Sequence, residues 1–171
     1  MQTWYECRIR YQKIDEDGRE RKVSEVYLFE AVSYTDAEAR VFNFMSQITR
    51  EEFTIMNIKK ANYAEIFPYD EGDKWIKAKI NIVTIDEEKG KEKIISNYYL
   101  TLADDIKESI NRLEESLDYL LVPFVISQVG ISNIMDILPI DENEIPSNLR
   151  PISEVDNQTA EDRDNSDENN E

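Results

Sequence analysis

Histidine is absent from this chain, and cysteine occurs once, at Cys7. Without histidine there is no Ser–His or Cys–His nucleophilic pair, none of the usual zinc chemistry and no ordinary neutral-pH general base. A single cysteine forms no internal disulfide and no cysteine-based zinc site, which fits a reducing compartment. Glycine is scarce too: four in 171 residues leave little room for a phosphate-binding loop. The longest uncharged apolar run, Tyr119 to Ile134, is interrupted by Pro123, Gln128, Gly130 and Asn133 and is shorter than the ~20 residues that span a bilayer. The opening "MQTWYECRIRY" has neither the basic region nor the apolar run of a signal peptide. These absences lead to the expectation of a cytoplasmic, non-membrane, non-enzymatic protein with no cofactor and no bound metal. Catalysis by carboxylates alone is the enzymatic route left open.

Positive charge is also short, with 20 Lys and Arg against 37 Asp and Glu, a net of −17. The imbalance is uneven: residues 141–171 hold 11 acids and 2 bases, a net of −9, and the other 140 residues carry −8. Almost nothing apolar follows Val155, so ordering that end would cost backbone entropy with no burial to offset it. A disordered acidic tail is expected over 143–171. Ahead of it, nine Tyr, six Phe and two Trp within 40% hydrophobic residues mark a chain that folds.

The folding part repeats itself. With an offset of 71, Trp4 meets Trp75, Ile9 meets Ile80, and Ile14-Asp15-Glu16 meet Ile85-Asp86-Glu87. One inserted residue moves the offset to 72, where Gly18 meets Gly90, Ser24 meets Ser96, and Tyr27-Leu28 meet Tyr99-Leu100. The offset then returns to 71, so that "NYAEIFPYDE" from Asn62 overlies "NIMDILPIDE" from Asn133. So many ordered matches with few gaps indicate an internal duplication. The repeated acidic stretch around Gly18 and Gly90 is therefore part of a larger unit. It lacks calcium-loop spacing, since from Asp15 the sixth position is Glu20 and the twelfth is Val26. A hairpin turn with glycine at positive φ is the expected alternative.

Each unit reads as strand, strand, helix, strand. Tyr5, Cys7, Ile9 and Tyr11 alternate with polar neighbours, as do Ile76, Ala78, Ile80 and Ile82. Second strands are predicted over about 23–32 and 94–102. Thr35 with Glu38 suggests a capping box opening a helix with Val41, Phe44, Met45 and Ile48 on one side; Ile106, Ile110, Leu113 and Leu117 mark the second helix, about 104–118. Closing strands are predicted over 53–67 and 123–138, with Gly130 as a candidate bulge. The sum is an α+β protein: a tandem strand-strand-helix-strand duplication, 1–71 and 72–142, with pseudo-twofold symmetry, a mostly antiparallel sheet, two helices and a shared core. The chain is then a monomeric pseudo-dimer or a homodimer of such units.

The candidate binding residues lie on the first strand of each unit. Trp4, Arg8 and Arg10, and Trp75, Lys77 and Lys79, place an indole and positive charge opposite the helix-facing side. A bare face of that kind would offer stacking and phosphate tracking to single-stranded nucleic acid. The competing reading packs each indole between the units and pairs the bases with neighbouring acids. Tyr27 and Tyr99 either line a groove on the pseudo-axis or pack in the core. Glu65 and Asp136 recur before the closing prolines and would form an acid–base or magnesium pair only if the twofold joined them. The leading expectation is a binding or adaptor protein with a protein partner, and the second is a single-stranded nucleic-acid-binding protein whose acidic tail is regulatory.

With "TWYECRIRYQKIDEDGRERKVSEVYLFEAVSYTDAEARV" and "SNIMDILP" in view, the chain resembles a family of Bacteroidetes bacteria and related phages known as a domain of unknown function, family 4494. The resemblance covers about residues 2–140. It implies a bacterial or phage cytosolic setting and carries no activity, cofactor or site residue onto any position here.

Overall fold

A computed structural model of the chain describes residues 3–141; the tail expected at 143–171 lies outside the described residues. Within Met1–Pro139 the described residues form one compact unit. The protein is α+β, with eight strands and two helices among the described residues. Neither helix is long and apolar enough to cross a membrane.

Two long hairpins form the frame. β1 (Thr3–Ile14) pairs antiparallel with β2 (Glu20–Ala31). In each hairpin the turn is held by its own first acid. Asp15 Oδ1 accepts the amides of Asp17 and Arg19 at 3.0 and 2.9 Å, and Gly18 supplies φ of 75°. The second hairpin is reached through α1 (Tyr34–Ile48), β3 (Phe53–Ala61) and β4 (Tyr63–Phe67), and consists of β5 (Lys74–Asp86) and β6 (Lys91–Ala103). There Asp86 Oδ1 accepts the amides of Glu88 and Lys89 at 3.0 and 3.2 Å, with Gly90 at φ of 61°. The repeated acids are turn-forming side chains, as the loop spacing indicated.

Helix α1 starts two residues earlier than a Thr35 cap suggests. Ser33 is the cap: its Oγ accepts the Asp36 amide at 3.1 Å, and the Asp36 carboxylate accepts the Val32 amide at 3.0 Å. The reciprocal acid is therefore Asp36, three residues after Ser33, and not Glu38. Helix α2 (Ile106–Ser116) repeats the device, Asp105 accepting from the Glu108 amide at 2.8 Å and Glu108 from the Asp104 amide at 2.7 Å.

Each predicted closing strand is two strands. β3 stays beside β1, whereas β4 crosses to lie parallel to β6 of the second half. Likewise β7 (Phe124–Ile131) stays beside β5, and β8 (Ile134–Leu138) crosses to lie parallel to β2. Sheet A is ordered β3-β1-β2-β8 and sheet B β4-β6-β5-β7, so each half lends its last strand to the other. One mostly antiparallel sheet is thus replaced by two mixed ones. The corner before β8 is fixed by Ser132, whose amide and hydroxyl both donate to the Trp75 carbonyl, at 2.9 and 2.6 Å. Bulges obey the duplication: the register skips Met56 and Ser127 in the retained strands, and Ala64 and Met135 in the exchanged ones. Gly130 is not a bulge; it pairs regularly with Lys77.

Three apolar clusters stack through the molecule. Beneath α1, Ala37, Val41 and Met45 pack on Cys7, Ile9 and Phe29 of sheet A. Beneath α2, Leu113 and Leu117 pack on Ala78, Ile80 and Tyr99 of sheet B. Between the sheets, Val26, Leu28 and Ile134 meet Trp75 and Leu100, with Trp4 and Leu102 alongside. The helix-free faces of the two sheets therefore join over this cluster, which supplies burial that a ~70-residue unit lacks alone.

Candidate functional site

The middle cluster decides what the first-strand residues can do. Trp75 is only 5% exposed and Trp4 is partly buried beside it. Burying these two large rings removes apolar area from water, so the indoles hold the sheets together and present no platform for a base. The cations farther along the same strands lie differently. Arg8, Arg10 and Lys77 are exposed and Lys79 is partly so. Arg8, Arg10 and Lys79 form no ion pair with the described residues, and Glu6 is held by Lys59 across the sheet at 3.2 Å.

Lys77 has aromatic partners instead of a carboxylate. Its ammonium lies 4.6 Å from the Tyr98 ring centroid and 5.7 Å from that of Tyr63, within cation–π range. Tyr63 is pushed up to about 12 by burial and then by the nearby Glu6 charge, so its phenol is neutral. Lys77, Lys79 and Tyr98 line a groove of about 610 Å³ on the helix-free side of sheet B, continued by Gln128, Gly130 and Ile131 of β7. At Gly130 nothing lies within 4 Å of where a Cβ would stand, so the groove is open above it. A second hollow of about 390 Å³ lies on the other face of β7, between Ile126 and Ile110 and Glu114 of α2.

Tyr27 and Tyr99 do not line a common groove. Tyr27 packs edge-on against Phe44, ring centroids 4.9 Å apart, under α1, and Tyr99 stacks on Phe67 at 6.1 Å under α2. Core packing is what the strand patterns impose, because both tyrosines alternate onto the helix-facing side. Nor does the twofold join Glu65 and Asp136. The exchange sets Glu65 opposite Tyr99 in sheet B and Asp136 opposite Tyr27 in sheet A. Glu65 accepts the Tyr119 hydroxyl at 2.9 Å.

One buried polar cluster escaped the sequence reading. Glu25, 9% exposed, accepts the hydroxyls of Tyr27 at 2.7 Å and Tyr11 at 2.8 Å and is met by the Lys13 ammonium at 3.4 Å. Burial alone would raise the Glu25 pKa; the two phenols and the lysine outweigh it and hold the carboxyl below its ordinary value. Burial and this carboxylate push Tyr11 up to about 12 and Tyr27 higher still. The second half has Ile82 and Asn97 where the first has Tyr11 and Glu25, so the duplication gave no sign of it. The solvent side of the cluster is the Lys13 side chain, 54% exposed. Cys7, fully buried, is pushed up to about 12 by burial and then by Glu6, and is a neutral thiol at physiological pH.

The fold defines a strand-exchanged, pseudo-twofold α+β protein. The chain belongs to the family described as domain of unknown function DUF4494, which matches residues 3–140. No curated protein and no solved structure matches it.

Proposed function

We propose that the protein is a non-enzymatic binding or adaptor protein of a bacterial or phage cytoplasm, acting through protein–protein contacts on the helix-free face of sheet B. One observation carries the reading: in a chain of net charge −17, Lys77 and Lys79 stand over an open groove with no carboxylate partner among the described residues. Such a site favours an acidic partner, and its charge complementarity sets specificity and association rate more than affinity. The monomer, already an intramolecular pseudo-dimer, is the binding unit. Affinity capture from a host lysate tests this with K77E/K79E and, as a control on the other sheet, R8E/R10E. The reading expects a partner that the first variant loses and the second retains; equal capture by both contradicts it.

The alternative is a single-stranded nucleic acid. It is favoured by Arg8 and Arg10, exposed and unpaired among the described residues, and weakened by the burial of Trp75 and the partial burial of Trp4. Fluorescence anisotropy of a labelled oligonucleotide separates the two, because phosphate binding falls steeply as salt rises. Binding that is weakened by salt and by R8E/R10E favours the nucleic-acid reading; no anisotropy change removes it.

A further inference from the structure

Resting on that reading, we infer that the exposed edge of β7 takes an extended segment of the partner as an added strand, with acidic residues over Gly130 toward Lys77 and apolar residues toward Ile110 and Ile126.

The two halves differ most informatively at this edge. β3 and β7 are equivalent outer strands of their sheets. In β3 the edge carries Lys59 and Lys60, the charged residues with which proteins discourage strand pairing. The corresponding residues of β7 are Gly130 and Ile131, and all eight residues of Phe124–Ile131 are uncharged. Inside the sheet, Glu6 of β1 answers Lys59 at 3.2 Å. Its counterpart in β5 is Lys77, opposite Gly130. The second half thus holds one cation of a cross-strand pair facing a position with no side chain. A carboxylate reaching across Gly130 from an added strand would complete the pair.

The backbone is suitably placed. Ser132 N–H donates to the Trp75 carbonyl at 2.9 Å, and alternation along an antiparallel ladder then turns the amides of Val129 and Ile131 outward. The skipped residue Ser127 ends this regular stretch, so the acceptor is short, from Gln128 to Ile131. Hollows flank it on both faces of the sheet, as alternate side chains of an incoming strand require. Main-chain bonds then supply affinity and the two hollows supply selectivity.

The test uses the full chain and a synthetic ten-residue peptide alternating valine and glutamate, with a valine–lysine peptide as control. The inference expects the glutamate peptide to bind, the lysine peptide not to, and the Val129 and Ile131 amides to gain hydrogen-exchange protection. Gly130→Val, which fills open space and leaves the ladder intact, and Lys77→Gln should each weaken binding at least tenfold. Failure of the glutamate peptide to bind overturns the inference. Binding that depends on Lys77 and Lys79 without protection at Val129 and Ile131 also overturns it, while leaving the proposed binding face standing. Protection already present in the free chain and lost on truncation after Asp141 would place the chain's own acidic tail at this edge and overturn the assignment to a partner.

Discussion

Arg40 and Arg112 hold equivalent positions on the two helices, and each donates to the chain just past the strand lent by the opposite half. Arg40 Nη2 reaches the Pro139 carbonyl beyond β8 at 3.1 Å. Arg112 Nη1 reaches the carbonyls of Glu71, beyond β4, and Leu102, both at 2.6 Å. Its guanidinium also lies 4.6 Å from the Tyr69 ring centroid, and Tyr69 donates to the Arg112 carbonyl at 3.0 Å. The helices thus anchor the exchange. Charged hydrogen bonds are worth roughly 1.5–3 kcal/mol each, so Arg112→Ala should cost about 3 kcal/mol in urea unfolding. Arg112→Lys should recover little, because an ammonium lacks the planar fork that serves two carbonyls and a ring.

That arginine pair shows what was legible in the sequence. Strand periodicity, the hairpin turns and the duplication were all readable, because alternation and glycine placement are local demands. The pairing of Arg40 with Arg112 at the offset of 72 is also readable, as are the capping boxes at Ser33-Asp36 and Asp105-Glu108, although Thr35-Glu38 offers the same spacing two residues on. The exchange was not legible. A strand pairs equally well with β2 or β6 when both halves share one pattern, so Asn62 and Ser132-Asn133 had to be seen as corners. The burial of Trp4 and Trp75 follows from the exchange, because only a second sheet covers that face.

Trp75 should therefore report a core and not a ligand. Trp75→Ala should destabilise the protein by about 3–5 kcal/mol, the range for truncating a buried aromatic. In the intact chain its emission should be blue-shifted and resist acrylamide. Ready quenching of both tryptophans would show that the sheets do not meet as described.

The Glu25 cluster predicts a stability profile with two limbs. The folded pKa of Glu25 lies below its ordinary 4.5, so its contribution is complete above that pH and is lost as pH falls below it. Tyr11 is raised from 10.0 to about 12, so its contribution is complete below pH 10 and is lost as pH rises toward 12. Glu25→Gln should cost about 2 kcal/mol at neutral pH, since charged hydrogen bonds give way to neutral ones, and should flatten the acid limb. Urea unfolding at a series of pH values checks both.

Glycine substitutions should differ by position. At Gly18, φ is 75° and a Cβ meets open space, so alanine should cost about 1 kcal/mol of backbone strain. At Gly72, φ is 142° and a Cβ would lie 2.8 Å from the Ala103 nitrogen. There alanine should cost at least about 3 kcal/mol, because strain adds to a clash with backbone that cannot rotate away. Thermal melts of the two variants give the comparison.

Interstrand proton contacts by NMR test the strand exchange most directly. The structure predicts contacts joining Leu28 to Ile137 and Leu100 to Ile66, because β8 lies beside β2 and β4 beside β6. Backbone contacts joining Leu28 to Ile66 and Leu100 to Ile137 instead would mean that each half keeps its own last strand, and would contradict the account.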